Sequence, residues 1–275
     1  MKFPIKLLNI KTIVKRTGYY LKIWVLMSRN ALLVVLSQRF MFIIFLLAKI
    51  IRYSFFISFL YFVVKGTNTI AGYDLNQVIL IYLTFTFIDI ASQFLYREVY
   101  RFRPLIISGD FDLVLVKPVS ALFRVLMGGA DIIDFVLIPP IIFAIWFIGA
   151  KMDPSFIQVI LYVLLLANGL LIATGFYILV LSFGILTFEV DHTAMIFRDM
   201  ASLGRLPIEV YRQPLRSFLT FLIPLGVMIT LPSRVLMGII SPLSVVGSCA
   251  LGIVFLYFST KIWSFALTKY TSASS

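Results

Sequence analysis

Long apolar runs separated by short charged stretches set the pattern of this chain. A helix needs about 20 residues to cross about 30 Å of hydrocarbon. On that length the pattern predicts six membrane-spanning helices, at 40–64, 77–95, 120–148, 155–186, 217–231 and 243–262. The fourth run is long enough to tilt, bend or project beyond the bilayer, and the fifth is short. The pattern therefore predicts an all-α integral membrane protein made of one domain, residues 1–275.

Two segments outside these runs have patterns of their own. Residues 5–38 mix apolar residues at helical spacing with many basic ones, and Trp24 favours the membrane interface. We expect residues 1–39 to form an amphipathic interfacial helix, and a loose basic tail is the alternative. The segment 232–242 contains two prolines and leads back into the last run. We expect it to be re-entrant on the outer face, held against protein.

Composition and charge support a membrane protein and give its orientation. The chain is 61% hydrophobic and 13% charged, with a mean hydropathy of +1.04, whereas soluble domains are about a quarter charged. The net charge of +12 does not indicate nucleic acid binding, because the basic residues alternate with apolar runs instead of forming one stripe. Of the 24 lysines and arginines, 19 lie on the side of the two termini. The positive-inside rule then predicts cytoplasmic termini and a cell (inner or plasma) membrane location.

The most charged stretch between two long runs is residues 96–119. Its polar and turn-forming residues are Arg97, Glu98, Arg101, Arg103, Gly109, Asp110, Asp112, Lys117 and Pro118. The part from Gly109 to Pro118 is too polar for hydrocarbon and too short for a soluble domain. We expect this loop to be presented to a partner outside the bilayer, with its arginines either contacting acidic partner residues or holding lipid headgroups.

Five ionisable residues fall inside the predicted spans, where charges are costly and indicate function. Lys49 and Arg52 share a face of the first span, and Asp131 and Asp134 share a face of the third. Asp89 lies on the second span. The first and third spans carry their charges at matching depths, which predicts pairing between them. Such pairs either fix helix register or relay protons or ions, and snorkelling of Lys49 is a further alternative.

Several kinds of chemistry have no signature in the sequence. There is no G-x-x-x-x-G-K-[ST] for phosphate binding and no G-x-S-x-G elbow. The only histidine, His192, stands beside Glu189 and Asp191 without further ligands, so we expect no metal site. We likewise expect no catalytic or cofactor-binding residues in this chain. A stripe of Ser244, Ser248 and Gly252 on the last span favours close helix packing, either within the chain or between two subunits.

Two stretches resemble the ABC-2 type permease family, in particular its six-span bacterial branch. Gly109 to Pro118 is similar to the G-x-L-D-x-x-L-x-[RK]-P loop of that branch, with Phe111 in place of Leu. Residues 205–238 resemble its P-x-x-x-Y and F-x-I-P-L patterns. The resemblance implies an export permease that pairs with two ATPase subunits and with a second permease, identical or homologous. It also implies that 1–39 is a connecting helix, that 96–119 is the ATPase-coupling loop and that 232–242 is an outer re-entrant cap.

The sequence leaves three functions open. The first is the transmembrane subunit of an ABC exporter that moves a lipid-like or amphiphilic substrate while a partner hydrolyses ATP. The second is an ion-coupled secondary transporter that uses the intramembrane residues named above. The third is a membrane-bound enzyme that acts on lipid. Membrane lipid is an expected partner in each case.

Overall fold

The computed structural model of the protein describes residues 10–187 and 190–271, and this part of the chain is helical, with no strand in it. The α-helices are α1 Ile10–Ser37, α2 Arg39–Thr67, α3 Leu75–Tyr96, α4 Phe102–Ile107, α5 Phe111–Leu115, α6 Ala121–Leu126, α7 Ile132–Ala150, α8 Phe156–Thr187, α9 Val190–Ser202, α10 Leu215–Ser217, α11 Leu231–Leu236 and α12 Pro242–Lys269. Short 3-10 helices cover Arg97–Arg101, Leu203–Arg205 and Ile208–Val210, and π-helical turns cover Phe218–Leu222 and Gly226–Thr230. Glu189 and the side chains of Asp191 and His192 lie outside the described residues, as do residues 1–9 and 272–275.

Within this part of the chain, six helices are long and apolar enough to cross a membrane. They are Lys15–Ser37, Arg39–Thr67, Leu75–Ile107, Ile132–Ala150, Phe156–Thr187 and Pro242–Lys269. Together with the helical content, they confirm an all-α integral membrane fold. Five of them match predicted runs, whereas the first is the helix expected at the interface. Its placement on the membrane surface therefore stays a prediction.

Helix α3 is the centre of the bundle. It is apolar on nearly every side, as expected for a helix surrounded by others, and Ile81, Ile88 and Ile90 are fully or almost fully buried. Asp74 begins the helix with a capping box, because its carboxylate accepts from the Gln77 backbone and the Gln77 side chain accepts from the Asp74 backbone. By contrast, hardly any side chain in the most apolar part of α2 is buried. One face of α2 is therefore exposed to lipid or to another subunit.

The third span is shorter than the sequence suggested, so the predicted N-terminal end of the span 120–148 was wrong. The apolar residues of α6 form a separate short helix, and a turn through Gly128 and Gly129 separates it from α7. Asp131 then caps α7, with its carboxylate accepting from the Ile133 backbone at 2.9 Å. Asp131 consequently lies at the end of a span and not deep within it.

The predicted fifth span, 217–231, is not a crossing helix. Residues Leu215–Leu222 and Gly226–Leu236 form two arms that bend by 72°, because Pro224 has no N–H to donate and restricts the residue before it. Arg216 on one arm and Arg234 on the other both approach Glu209, at 3.8 and 3.7 Å. A segment whose two ends meet at one carboxylate returns to the side where it started. The re-entrant element is therefore this hairpin, which begins earlier than the predicted 232–242.

The fifth crossing is made instead by α9 and the irregular residues 203–210. Early in this stretch Phe197 packs on Tyr177 of α8, and further along Gly204 packs against Phe85 near the middle of α3. Glu209 then reaches the end of α3 where Tyr73 lies. The chain thus runs the length of α3 between residues 190 and 210. We predicted this region to be a cytoplasmic loop, and that prediction was wrong.

Helices α8 and α12 pack closely along the small-residue stripe of α12. The side-chain amide of Asn168 on α8 donates to the Ser248 carbonyl at 2.9 Å. A Cβ at Gly252 would overlap the Asn168 amide oxygen, so any larger residue would displace the Asn168 side chain. Ser248 and Gly252 therefore serve packing within the chain, which was one of the two alternatives left by the sequence.

Candidate functional site

The charged segment, residues 97–118, folds into three short helical elements at one end of the bundle. A 3-10 helix continues α3, and α4 and α5 follow it. The inward side chains are apolar and buried: Val99, Phe102, Ile106, Phe111 and Val114. They join a core that includes residues near the C-terminal ends of α8 and α12. The segment is thus attached to two of the long helices.

Aromatic side chains fix this attachment. The rings of Phe102 and Phe111 meet edge to face with centroids 5.2 Å apart. Phe111 also contacts Tyr270 at 5.1 Å, and Phe102 lies 6.3 Å from Trp263 on α12. Such pairs add to the free energy of burial alone. The segment therefore packs directly against the C-terminal end of α12.

A tight turn joins α4 to α5. Gly109 adopts φ +78°, a left-handed conformation that glycine adopts without steric cost. Next to it, the Ser108 hydroxyl donates to the Asp110 carboxylate at 2.7 Å. The left-handed backbone conformation of this turn thus explains the glycine of the predicted loop motif. The turn also fixes the orientation of α5.

The outer surface of the segment combines apolar and charged side chains. Ile107, Leu113 and Val116 are 55%, 59% and 80% exposed. Among the predicted polar residues, Arg97, Arg101, Arg103, Asp110, Lys117 and Pro118 are exposed, and Asp112 is half-buried. Exposed apolar side chains on such a small charged element are typical of a surface that a partner covers.

Glu98 does not belong to that outer surface. It is 7% exposed, and its carboxylate accepts from Arg124 at 2.8 Å and from Arg101 at 3.5 Å. Gly128 lies directly against the Glu98 side chain and leaves no room for a Cβ. Glu98 therefore holds the segment to α6 and is not available to a partner, contrary to our expectation for this residue.

The start of the segment is also tied to α7, by an ion pair. Arg97 Nε lies 3.5 Å from an Asp131 oxygen, while the other Asp131 oxygen caps α7. We expected Asp131 to pair with a cation of the first span, and it pairs with the charged segment instead. The reason is the later start of α7, which places Asp131 at the level of Arg97.

The remaining intramembrane charges join three long helices. Lys49 on α2 donates to the buried Asp134 on α7. Arg52 on α2 lies 4.0 Å from Asp89 on α3 and donates to the Tyr53 hydroxyl at 2.9 Å. The pairing of the first with the third span thus involves Lys49, whereas Arg52 turns to the second span.

Arg205 is a further charge at membrane depth that sequence reasoning missed. Its guanidinium lies 5.8 Å from the ring centres of both Phe56 on α2 and Phe85 on α3. Phe85 is about halfway along α3, so this cation stands in the middle of the bundle. Aromatic faces stabilise a desolvated guanidinium. No local motif marks this role, because it depends on the unexpected course of residues 203–210.

A second polar cluster lies at the opposite end of the bundle, where Glu209 meets Arg216 and Arg234. Tyr73, from the loop between α2 and α3, is buried beside it. Burial and then the negative charge of Glu209 raise the pKa of the Tyr73 phenol, while Arg234 lowers it. The cluster ties the re-entrant hairpin to the loop between α2 and α3.

Comparison with known proteins assigns the chain to a family. The model of a family described as ABC-2 family transporter protein matches residues 47–274. No curated protein and no solved structure matches the chain. The family match covers all of the long helices from α3 onward, most of α2, and the whole charged segment.

Proposed function

Because the chain belongs to the ABC-2 family of transporters, we propose that it is the transmembrane subunit of an exporter driven by ATP hydrolysis in separate ATPase subunits. The family membership makes it a multi-pass membrane protein of transport. We further propose how the chain is driven, which subunits it binds and which substrate it carries.

The observation that carries the proposal is the build of the charged segment 97–118. Its inner face is locked onto α8 and α12 by buried aromatic residues, while Leu113 and Val116 are exposed on its outer face. A rigid element with an exposed apolar surface is suited to bind a partner subunit that moves it as a rigid body. We propose that this partner is an ATPase subunit, present in two copies, and that the segment faces the cytoplasm with both termini.

A second permease subunit, identical or homologous, is also part of the proposal. The Arg52 side chain is 52% exposed in the isolated chain, although it lies within α2, a membrane-spanning helix. Exposure of a charge to hydrocarbon is costly. This supports a face of α2 that meets another subunit or a water-filled path between subunits.

For the intramembrane charges we propose a structural role. Lys49 and Arg52 each have a carboxylate partner on a neighbouring helix, and paired charges hold helices in register. An ion-coupled secondary transporter is therefore not favoured. The cargo that we propose is lipid-like or amphiphilic, since the exposed faces of the long helices are apolar.

Co-purification tests the proposal. The chain is expressed with candidate ATPase subunits, and Val116→Glu is compared with Thr268→Glu, which places the same charge on an exposed residue at the same end. We expect the ATPase to purify with the wild type and with Thr268→Glu, and to be lost from Val116→Glu. Equal recovery with all three proteins would remove the role assigned to the segment.

A further inference from the structure

A cavity of about 490 Å³ lies in the angle between α1 and α2, beside the start of the charged segment. Helix α1 packs against the turn before α7, since a Cβ at Gly129 would lie 2.6 Å from the Ala31 Cβ. The Ser28 hydroxyl accepts from the Ala130 backbone at 3.1 Å. These contacts hold α1 as one wall, and α2, the charged segment and the start of α7 form the others.

One end of the cavity is rich in arginine. In the described part of the chain, Arg97, Arg101 and Arg124 line it together with two carboxylates, Glu98 and Asp131. Glu98 is shared by Arg101 and Arg124, and Asp131 faces Arg97. Three guanidiniums on two carboxylates leave one positive charge in excess. Arginine forks bind phosphate oxygens in bidentate fashion.

Lys49, at the deep end of the same cavity, adds no net charge. It is neutralised by its pair with Asp134 on α7. The excess charge therefore lies at the end of the cavity next to the charged segment, where the Arg97 and Arg101 side chains are 47% and 65% exposed. An anion entering from that end would meet the guanidiniums first.

The other wall of the cavity is apolar. Val34 and Val35 from α1 and Met41, Phe42 and Phe45 from α2 form it. Val34, Met41 and Phe45 are at least half exposed, so the cavity is open along the gap between the two helices. A positive end next to an open apolar wall matches a molecule with an anionic head and an alkyl chain.

We propose that this cavity binds the phosphate headgroup of an anionic phospholipid, with its chain lying between α1 and α2. Arg97 and Arg101 hold the phosphate, and the apolar wall takes the first part of the chain. Reading this lipid as cargo rests on the proposed function, whereas its binding does not. Because Arg97 and Arg101 also begin the charged segment, an occupied cavity would touch the element through which we propose that the ATPase acts.

The test uses the purified full chain in phosphatidylcholine nanodiscs without ATP or an ATPase. Two photoactivatable diazirine lipids with identical chains, one phosphatidylglycerol and one phosphatidylcholine, are added at low mole fraction, and labelled peptides are mapped by mass spectrometry. We expect the phosphatidylglycerol probe to label residues 31–45 about fivefold more than the phosphatidylcholine probe, since charge-assisted contacts distinguish the headgroups. Equal labelling by the two probes would overturn the proposal.

Variants separate this site from general attraction to a basic protein. The double change Arg97→Gln with Arg101→Gln should abolish the preference, whereas Lys65→Gln with Lys151→Gln, which removes two exposed cations at the other end of the bundle, should leave it intact. Val34→Trp fills the apolar wall without changing charge and should lower labelling by both probes. Equal loss in the control pair, or full labelling in Val34→Trp, would contradict the site.

Two further arms identify the source of the ligand and separate the proposals. Free inorganic phosphate at millimolar concentration should not compete with the lipid probe, because it cannot use the apolar wall; full competition would reduce the site to one for a soluble anion and overturn the lipid. Labelling that persists when no ATPase co-purifies would leave this inference standing while the proposed function fails. Loss of labelling in a chain that still binds its ATPase would do the reverse.

Discussion

Lys49 and Asp134 form an ion pair that joins α2 to α7, with the Asp134 side chain fully buried and that of Lys49 18% exposed. Among the described residues the second Asp134 oxygen has no hydrogen-bond partner, and Lys49 is the cation that pairs with this carboxylate. Apart from this pair, α2 has few buried side chains. The pair therefore holds an otherwise loosely packed helix against the bundle.

Removal of one partner of this pair should destabilise the protein strongly. Lys49→Met leaves the Asp134 charge buried without its cation, which costs about 3–5 kcal/mol in a buried pair. The double change Lys49→Met with Asp134→Leu removes both charges and should return the stability to within about 1 kcal/mol of the wild type. Unfolding in mixed detergent micelles measures the effect, and Lys65→Met on the same helix is the control. A double variant no better than Lys49→Met would contradict a structural pair.

Gly252 and Gly247 on α12 should respond oppositely to alanine. A Cβ at Gly252 overlaps Asn168, so Gly252→Ala should cost about 1–3 kcal/mol, as for other overpacked sites. No atom lies within 4 Å of the Cβ position at Gly247, where alanine should be neutral or stabilising by up to about 1 kcal/mol. Thermal unfolding of the two variants measures the difference. Equal stability would show that α8 and α12 do not pack through this stripe.

Loss of the Glu209 charge should loosen the re-entrant hairpin. Glu209→Gln leaves Arg216 and Arg234 without their shared carboxylate, and we expect backbone hydrogen exchange in residues 215–236 to rise about threefold to tenfold. Asp153→Asn removes an exposed carboxylate from the α7–α8 loop and serves as the control. Unchanged exchange in Glu209→Gln would mean that the two arms are held by apolar packing alone.

The two ends of the bundle should be reached from opposite sides of the membrane. In a Cys249→Ser background, cysteine at Thr69, in the exposed loop after α2, should react with a membrane-impermeant maleimide in intact cells. Cysteine at Thr268, near the end of α12, should react only after permeabilisation, as should tags at either terminus. The opposite pattern would invert the orientation that the basic residues predict.

The sequence predicted those parts of the fold that depend on length and hydropathy. Helices α2, α3, α8 and α12 match predicted runs because each is one continuous apolar stretch. The fifth crossing was missed because α9 has only 13 residues and continues through irregular backbone that carries Arg205. Hydropathy favoured the residues around Pro224 instead, since nothing in their composition distinguishes a hairpin from a span.

For the candidate site, the sequence predicted where the charged segment lies. It did not predict which of the charged residues face outward and which form internal ion pairs. The G-D-F-D motif marked a compact charged element, and Gly109 has the backbone conformation that such a turn needs. Whether a charge faces outward or inward depends on contacts distant in the chain. Glu98 became internal because Arg124, 26 residues away, reaches it, and Asp131 met Arg97 because α7 begins later than its apolar run.

The central claim is that the outer surface of segment 97–118 is held by an ATPase subunit, and site-specific photo-crosslinking tests it most directly. Benzoylphenylalanine is placed at Val116, and at Phe221, which is 72% exposed on the re-entrant hairpin, in the complex purified with its candidate ATPase. We predict a crosslinked permease–ATPase product from Val116 and none from Phe221. A product from Phe221, or crosslinks from Val116 to lipid alone, would contradict the account.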